Sequence, residues 1–120
     1  MLRISVLSAL LCLYFLPATA QELTTVKVKS GVDSRVGGGW NCSAPQNVPV
    51  LVIQENPSHG TIAVKDLPSG SPCGNGPMKG VFYTSQPGYK GPDRVGFQLN
   101  YVGRGAGRGA QSFTRNIVVN

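Results

Sequence analysis

The sequence predicts an all-β domain, an antiparallel sandwich of about seven short strands, behind a cleavable secretory leader. Three observations carry this. The 120-residue chain holds 16 glycines and nine prolines, a composition that opposes long helices and suits short strands joined by tight turns. Apolar and polar residues alternate with period two, most clearly where Val95, Phe97, Leu99 and Tyr101 are interleaved with Gly96, Gln98 and Asn100. Turn signals return roughly every ten residues, the spacing of a sandwich rather than of strand–helix units.

The amino terminus reads as a signal peptide over 1–20. Arg3 supplies the positive charge, Ile4 to Leu16 form an apolar run broken only by Ser5 and Ser8, and Pro17-Ala18-Thr19-Ala20 is a small-residue cleavage site. The run is shorter than the roughly 18–20 residues that span hydrocarbon. No membrane span is therefore expected after cleavage behind Ala20, and the location is expected to be secreted or periplasmic. The remaining 21–120 are long enough for one domain. Cleavage also removes Cys12 from the three cysteines, and Arg3 from a chain of formal charge +6. Cys42 and Cys73 then have one possible pairing, which persists in an oxidising compartment. Closing a loop of about 30 residues contributes roughly 3–4 kcal/mol. A two-thiol metal site is the competing reading, and a lone His59 does not complete its ligand set; no metal and no cofactor is expected.

In chain order, Leu23 to Val32 forms a half-buried strand near an edge, with Val26 and Val28 opposite Lys27 and Lys29. Gly37-Gly38-Gly39 is a flexible stretch leading to Trp40 and Cys42. Val48 to Gln54 is nearly continuous apolar sequence, which suits a central strand covered on both faces. Asn56-Pro57-Ser58-His59-Gly60 is a turn, and Thr61 to Lys65 completes a hairpin with the preceding strand. Leu67 to Lys79 is a loop tied down at Cys73. Val81 to Thr84 is a strand, Gln86 to Asp93 turns through Pro87-Gly88 and Gly91-Pro92, and the period-two run follows. Gly103 to Gly109 is a hairpin tip, from which Phe113, Arg115, Ile117 and Val119 return as the last strand.

Several of these pieces, in this order, resemble the bacterial Ig-like or cadherin-like repeat of adhesins. They are Pro57-Ser58-His59-Gly60-Thr61-Ile62, Tyr83-Thr84, Pro87-Gly88-Tyr89-Lys90-Gly91, Asp93 and Phe97-Gln98. The resemblance covers Val50 to Asn120 and implies an Ig-like sandwich. In it Gly60 makes the hairpin turn, His59 sits in that turn, Tyr89 packs across the sandwich end and Asp93 caps a turn through backbone N–H groups. The sequence departs from the calcium-binding members, whose junctions carry clustered acidic residues; here five acidic residues are scattered singly. Such repeats usually stand in tandem arrays, whereas this is a single copy.

No residue pattern amounts to an active site. Hydrolysis needs a nucleophile with a positioned base or a carboxylate pair, and the one histidine falls in a turn. The expectation is a non-catalytic binding or adhesion module for a protein, an anionic polysaccharide or an envelope surface. It would act as a monomer or with weak self-association. The alternatives are a self-associating structural protein of the envelope or matrix and, behind it, a small hydrolase. Arg104 and Arg108, on a glycine scaffold, offer bidentate contact to carboxylates or phosphates; the competing reading is a solvated tip whose arginines maintain solubility. Nucleic acid is not expected, since aromatic interleaving is absent. Trp40 reads either as a stacking surface for a partner or as the core tryptophan packed against the disulfide, the arrangement common in sandwich domains.

Two outcomes follow for protein recovered from an extracytoplasmic fraction. Its amino-terminal residue should be Gln21, and thiol titration under denaturing conditions should find no free thiol. Two free thiols would contradict the staple.

Overall fold

A computed structural model describes residues 24–101 and 109–120. Its described residues contain strands and turns and no helix. In chain order the strands are β1 (Thr24–Val28), β2 (Ser34–Gly39), β3 (Val50–Glu55), β4 (Gly60–Leu67), β5 (Met78–Ser85), β6 (Gly91–Tyr101) and β7 (Gly109–Val119). They form a four-stranded sheet ordered β1-β7-β6-β3 and a three-stranded sheet ordered β2-β5-β4. The leader and the tip carrying Arg104 and Arg108 lie outside the described residues.

The two sheets meet at an apolar layer that draws on both. Val81 and Tyr83 from β5 and Val95, Phe97 and Leu99 from β6 are almost inaccessible, as are Ile117 and Val119 from β7. The alternation read from the sequence explains this, because successive side chains of a strand point to opposite faces. β6 and β7 pair antiparallel over their whole length, from Gly91↔Val119 to Tyr101↔Gly109. The two glycines of β2 that face this layer, Gly37 and Gly39, let the strand lie close on the opposite sheet. A Cβ on Gly37 would stand 2.6 Å from the Phe97 ring, and one on Gly39 would stand 2.5 Å from Leu99.

Several expectations are corrected here. Pairing is not wholly antiparallel: β1 runs parallel to β7, with Val26 opposite Ile117. The two strands come from opposite ends of the chain, so no short connection dictates their direction. β3 and β4 are not a hairpin. β3 pairs with β6 and β4 with β5, so residues 56–59 carry the chain from one sheet to the other. Nor is β3 a central strand. It closes the edge of its sheet, with Leu51 buried and Val50 and Val52 at 48% and 45% exposure. A continuous apolar run does not by itself report two covered faces. Gly37 to Gly39, expected to be flexible, complete β2 and pair with Val81, Gly80 and Lys79. Gly60 is the first residue of β4 rather than a turn residue. It is glycine because a Cβ there would meet the Thr84 carbonyl oxygen at 2.5 Å and the Tyr83 ring at 2.8 Å.

Cys42 and Cys73 are bonded, with Cα atoms 5.3 Å apart, inside the range a disulfide allows. The bond joins the segment after β2 to the loop between β4 and β5. Neither segment has a ladder of its own. Their order comes from local hydrogen bonds, such as Ser43 and Ala44 N–H groups donating to the Asn41 carboxamide oxygen, both at 3.1 Å.

One polar group joins the layers. Asp93, on β6, is 9% exposed. Its carboxylate accepts the Tyr83 hydroxyl of the opposite sheet at 2.7 Å. It also accepts the backbone N–H groups of Ser58 and His59 in the crossover at 2.9 and 3.0 Å, and its neighbour's at Arg94 at 2.8 Å. Burial raises the carboxyl pKa, but the hydrogen bonds from Tyr83 and the three backbone groups outweigh it, so Asp93 titrates below the ordinary aspartate value. The same desolvation and the facing carboxylate push the Tyr83 phenol above its ordinary value.

Asp93→Ala should destabilise the domain by on the order of 3 kcal/mol, because it strands buried donors, and Tyr83→Phe by about 1–2 kcal/mol. Both are measured by urea unfolding. A carboxyl with a depressed folded pKa stabilises above its unfolded value, about 3.9, and loses that contribution as pH falls through the folded pKa. Stability should therefore drop on acidification below about pH 4, and this acid-labile part should vanish in Asp93→Asn.

Candidate functional site

The groups that sequence reasoning singled out do not converge. His59 lies in the crossover, stacked on Tyr89 with ring centres 4.1 Å apart and planes 9° from parallel, and the Tyr89 hydroxyl donates to the Pro92 carbonyl. Asp93 is occupied by its four donors. These residues organise one end of the sandwich. The disulfide cysteines are exposed on loops. Among the described residues no group of three or more histidine, cysteine or acidic side chains is gathered in a metal-binding arrangement.

Trp40 is different. It is not packed in the core against the disulfide; it stands 37% exposed just after β2, where it lines two depressions that share it with Tyr101 and Gln111. One of the two depressions follows β2. All of Arg35 to Trp40 forms one wall, and Gln111, Phe113 and Arg115 of β7 contribute to the other. The volumes are about 440 and 490 Å³, in the range of small-ligand sites. Among the described residues β2 terminates its sheet, while β1 pairs with β7 from Arg115 to Val119. The upper half of β7 and the free edge of β2 therefore bound an open side of the sandwich. Tyr101 and Gly109, the two ends of the segment that bears Arg104 and Arg108, both border the second depression.

Charge in this cleft is one-sided. Among the described residues no acidic side chain lines either depression. Arg115 lies over the Phe97 and Phe113 rings, 5.5 and 5.4 Å from their centres, and donates to its neighbouring Thr114 carbonyl at 3.4 Å. Burial lowers its pKa from the ordinary arginine value, yet arginine remains charged at neutral pH. Arg35 donates to the Met78 sulfur at 3.8 Å.

The described carboxylates are committed elsewhere. Asp33 holds Lys65 at 2.7 Å, Asp66 pairs with Lys79, Glu55 pairs with Arg94 at 3.4 Å, and Asp93 is the inter-sheet clamp. Among the described residues neither Arg35 nor Arg115 has an acidic partner. Asn41, which borders the second depression, is 8% exposed; its side-chain oxygen accepts two N–H groups, and its carboxamide nitrogen is buried without a hydrogen-bond partner among the described residues. A site of two guanidiniums and aromatic surfaces suits an acceptor-rich, negatively charged ligand.

Sequence reasoning missed Arg35, Arg115, Tyr101, Phe113 and Asn41 as site residues. A signal existed for Arg115, which falls in the same alternation phase as Phe113 and Ile117. A cation on the core face of a strand is unusual enough to single out. No comparable signal marked Arg35 or Asn41, whose roles depend on what the opposite sheet leaves uncovered.

No protein-family model matches the sequence, and no curated protein does. Among solved structures the fold is similar to the solution structure of Amebosin, at 15% identity and a TM-score of 0.51, covering 81% of this chain and 89% of that one. At that identity the likeness concerns the fold alone.

Trp40 is the chain's single tryptophan, so its fluorescence reports the cleft directly. Emission from the folded protein should be red-shifted and readily quenched by acrylamide. A blue-shifted, protected emission would place the ring in the core instead.

Proposed function

We propose that this chain is an extracytoplasmic Ig-like recognition domain that binds a protein or an anionic surface polymer without carrying out chemistry on it. The observation that carries the reading is the cleft between β2 and β7, where Arg35 and Arg115 stand beside Trp40 and Tyr101 without acidic partners. Strand order supports the Ig-like part. The pairings β2-β5-β4 and β7-β6-β3 follow the order of B-E-D and G-F-C in constant-type immunoglobulin sandwiches. The disulfide departs from that pattern, since it ties two loops rather than the two sheets. Its presence suits an oxidising compartment, as does the leader-like amino terminus.

Recognition by uncompensated arginines should be salt-sensitive, because exposed charges are screened over about 8–10 Å at physiological ionic strength. Immobilised protein should therefore recover its extracytoplasmic partner at low salt and lose it as salt rises. Arg35→Gln combined with Trp40→Ala should reduce that recovery about tenfold or more at low salt. Undiminished recovery would remove the cleft from consideration.

A second reading has its own observation. Val50 and Val52 stand exposed on the edge strand β3, which carries no lysine or proline to discourage pairing with another copy. Self-association through this edge would make the domain a structural protein. Sedimentation at increasing concentration should then show a dimer that Val52→Lys abolishes, and a strict monomer removes this reading.

A further inference from the structure

The recognition cleft has a shape that says more about its occupant than its charge does. Six consecutive residues, Arg35 to Trp40, line it, and all but Trp40 belong to β2. The cleft therefore follows the length of an edge strand instead of gathering residues at a point. An edge strand presents main-chain N–H and C=O groups that its own sheet does not use. Such edges are normally blunted by lysines, prolines or covering loops. β4, the other edge of the same sheet, carries Lys65 and Asp66, and β1 carries Lys27. β2 carries Arg35 and an irregularity in its pairing between Arg35 and Gly37, but no lysine or proline. It ends in three glycines, so no side chains there stand between its backbone and an approaching chain.

The opposite wall has the matching period. Gln111, Phe113 and Arg115 are alternate residues of β7 and face the cleft together. An extended strand laid along β2 would meet that wall with every second side chain. The first and last positions along the cleft differ in kind. Arg35 and Arg115 are charged and, among the described residues, without an acidic partner, whereas Trp40 at the far end of the strand offers an aromatic surface.

We propose that the cleft binds an extended acidic peptide segment, which adds to the free edge of β2 by main-chain pairing and places carboxylates against Arg35 and Arg115. The proposal rests on the reading of the cleft as the recognition site and adds what occupies it. Main-chain hydrogen bonds supply affinity in strand addition, and side-chain pockets supply selectivity. Here the selective element is charge, since the lining among the described residues holds cations and no acid. An acidic saccharide would satisfy the guanidiniums and stack on Trp40, but it makes no use of a continuous strand edge.

The test uses short blocked peptides titrated into the mature domain, followed by calorimetry and by amide hydrogen exchange. The probe alternates valine and glutamate. One control replaces glutamate with lysine, another methylates alternate backbone nitrogens, and a third ligand is oligogalacturonate. The acidic peptide should bind and should slow exchange at alternate amides between Arg35 and Trp40. The lysine peptide should bind about tenfold more weakly or worse, and the N-methylated peptide should lose most of its affinity. Arg35→Gln should weaken binding several-fold with its unfolding midpoint unchanged.

Equal binding of the N-methylated peptide overturns the proposal, because pairing would then play no part. So does full exchange protection of β2 in the free protein, which would mean that its edge is already covered. Oligogalacturonate binding without peptide binding overturns the peptide but leaves the recognition cleft standing. Absence of binding by any probe overturns the proposal, while the salt-dependent recovery of a partner decides the broader reading independently.

Discussion

A single carboxylate sits where three parts of the chain have to agree. Asp93 belongs to β6, its hydroxyl donor Tyr83 to the opposite sheet, and its two amide donors to the crossover between β3 and β4. In a domain of this size the apolar layer alone leaves a modest margin. A buried carboxylate is tolerated only if its oxygens are filled. Filling them requires both sheets and the crossover to be in place at once. The clamp therefore selects one packing of the two sheets as well as stabilising it. The close contact at Gly60 has the same logic, since a side chain there would push the crossover away from Tyr83 and Thr84.

The opposite side of the sandwich is built on exclusion rather than on pairing. Gly37 and Gly39 let β2 lie directly on Phe97 and Leu99, which brings the edge of one sheet beside β7 of the other. Among the described residues β1 pairs with the second half of β7, and the first half and β2 frame an opening. The described acidic groups are drawn to other places, and among the described residues Arg35 and Arg115 have no acidic partner there. Two cations thus stand on a concave, partly aromatic surface, while Lys27, Lys29 and Lys90 are exposed to solvent elsewhere.

Much of the fold was legible because strand alternation is a local property. Val95 to Tyr101 and Phe113 to Val119 announce their buried faces residue by residue, and both runs behave as read. The misreadings share one cause. Val48 to Gln54 looks central because it is apolar, yet whether a second strand lies beside β3 depends on where β4 goes. Pro57 to Gly60 looks like a hairpin turn, yet the same residues serve a crossover, because Asp93 and Tyr83 hold them from a distance in sequence. Gly37 to Gly39 look like a hinge because glycine is permissive in isolation; here the steric demand comes from Phe97 and Leu99.

What the sequence by itself determined is the all-β class, the inward residues of β6 and β7 and the pairing of Cys42 with Cys73. Each follows from composition, from a period of two or from cysteine count, none of which needs a partner strand to be identified. What only the tertiary structure decided is which strands form edges and, with them, the site. Trp40 passes from a core candidate to a cleft wall. Arg35, Asn41 and Arg115 become neighbours of an opening that no stretch of sequence encodes. Edges and clefts are defined by what is missing beside a strand, and absence of that kind appears only once every other strand has been placed.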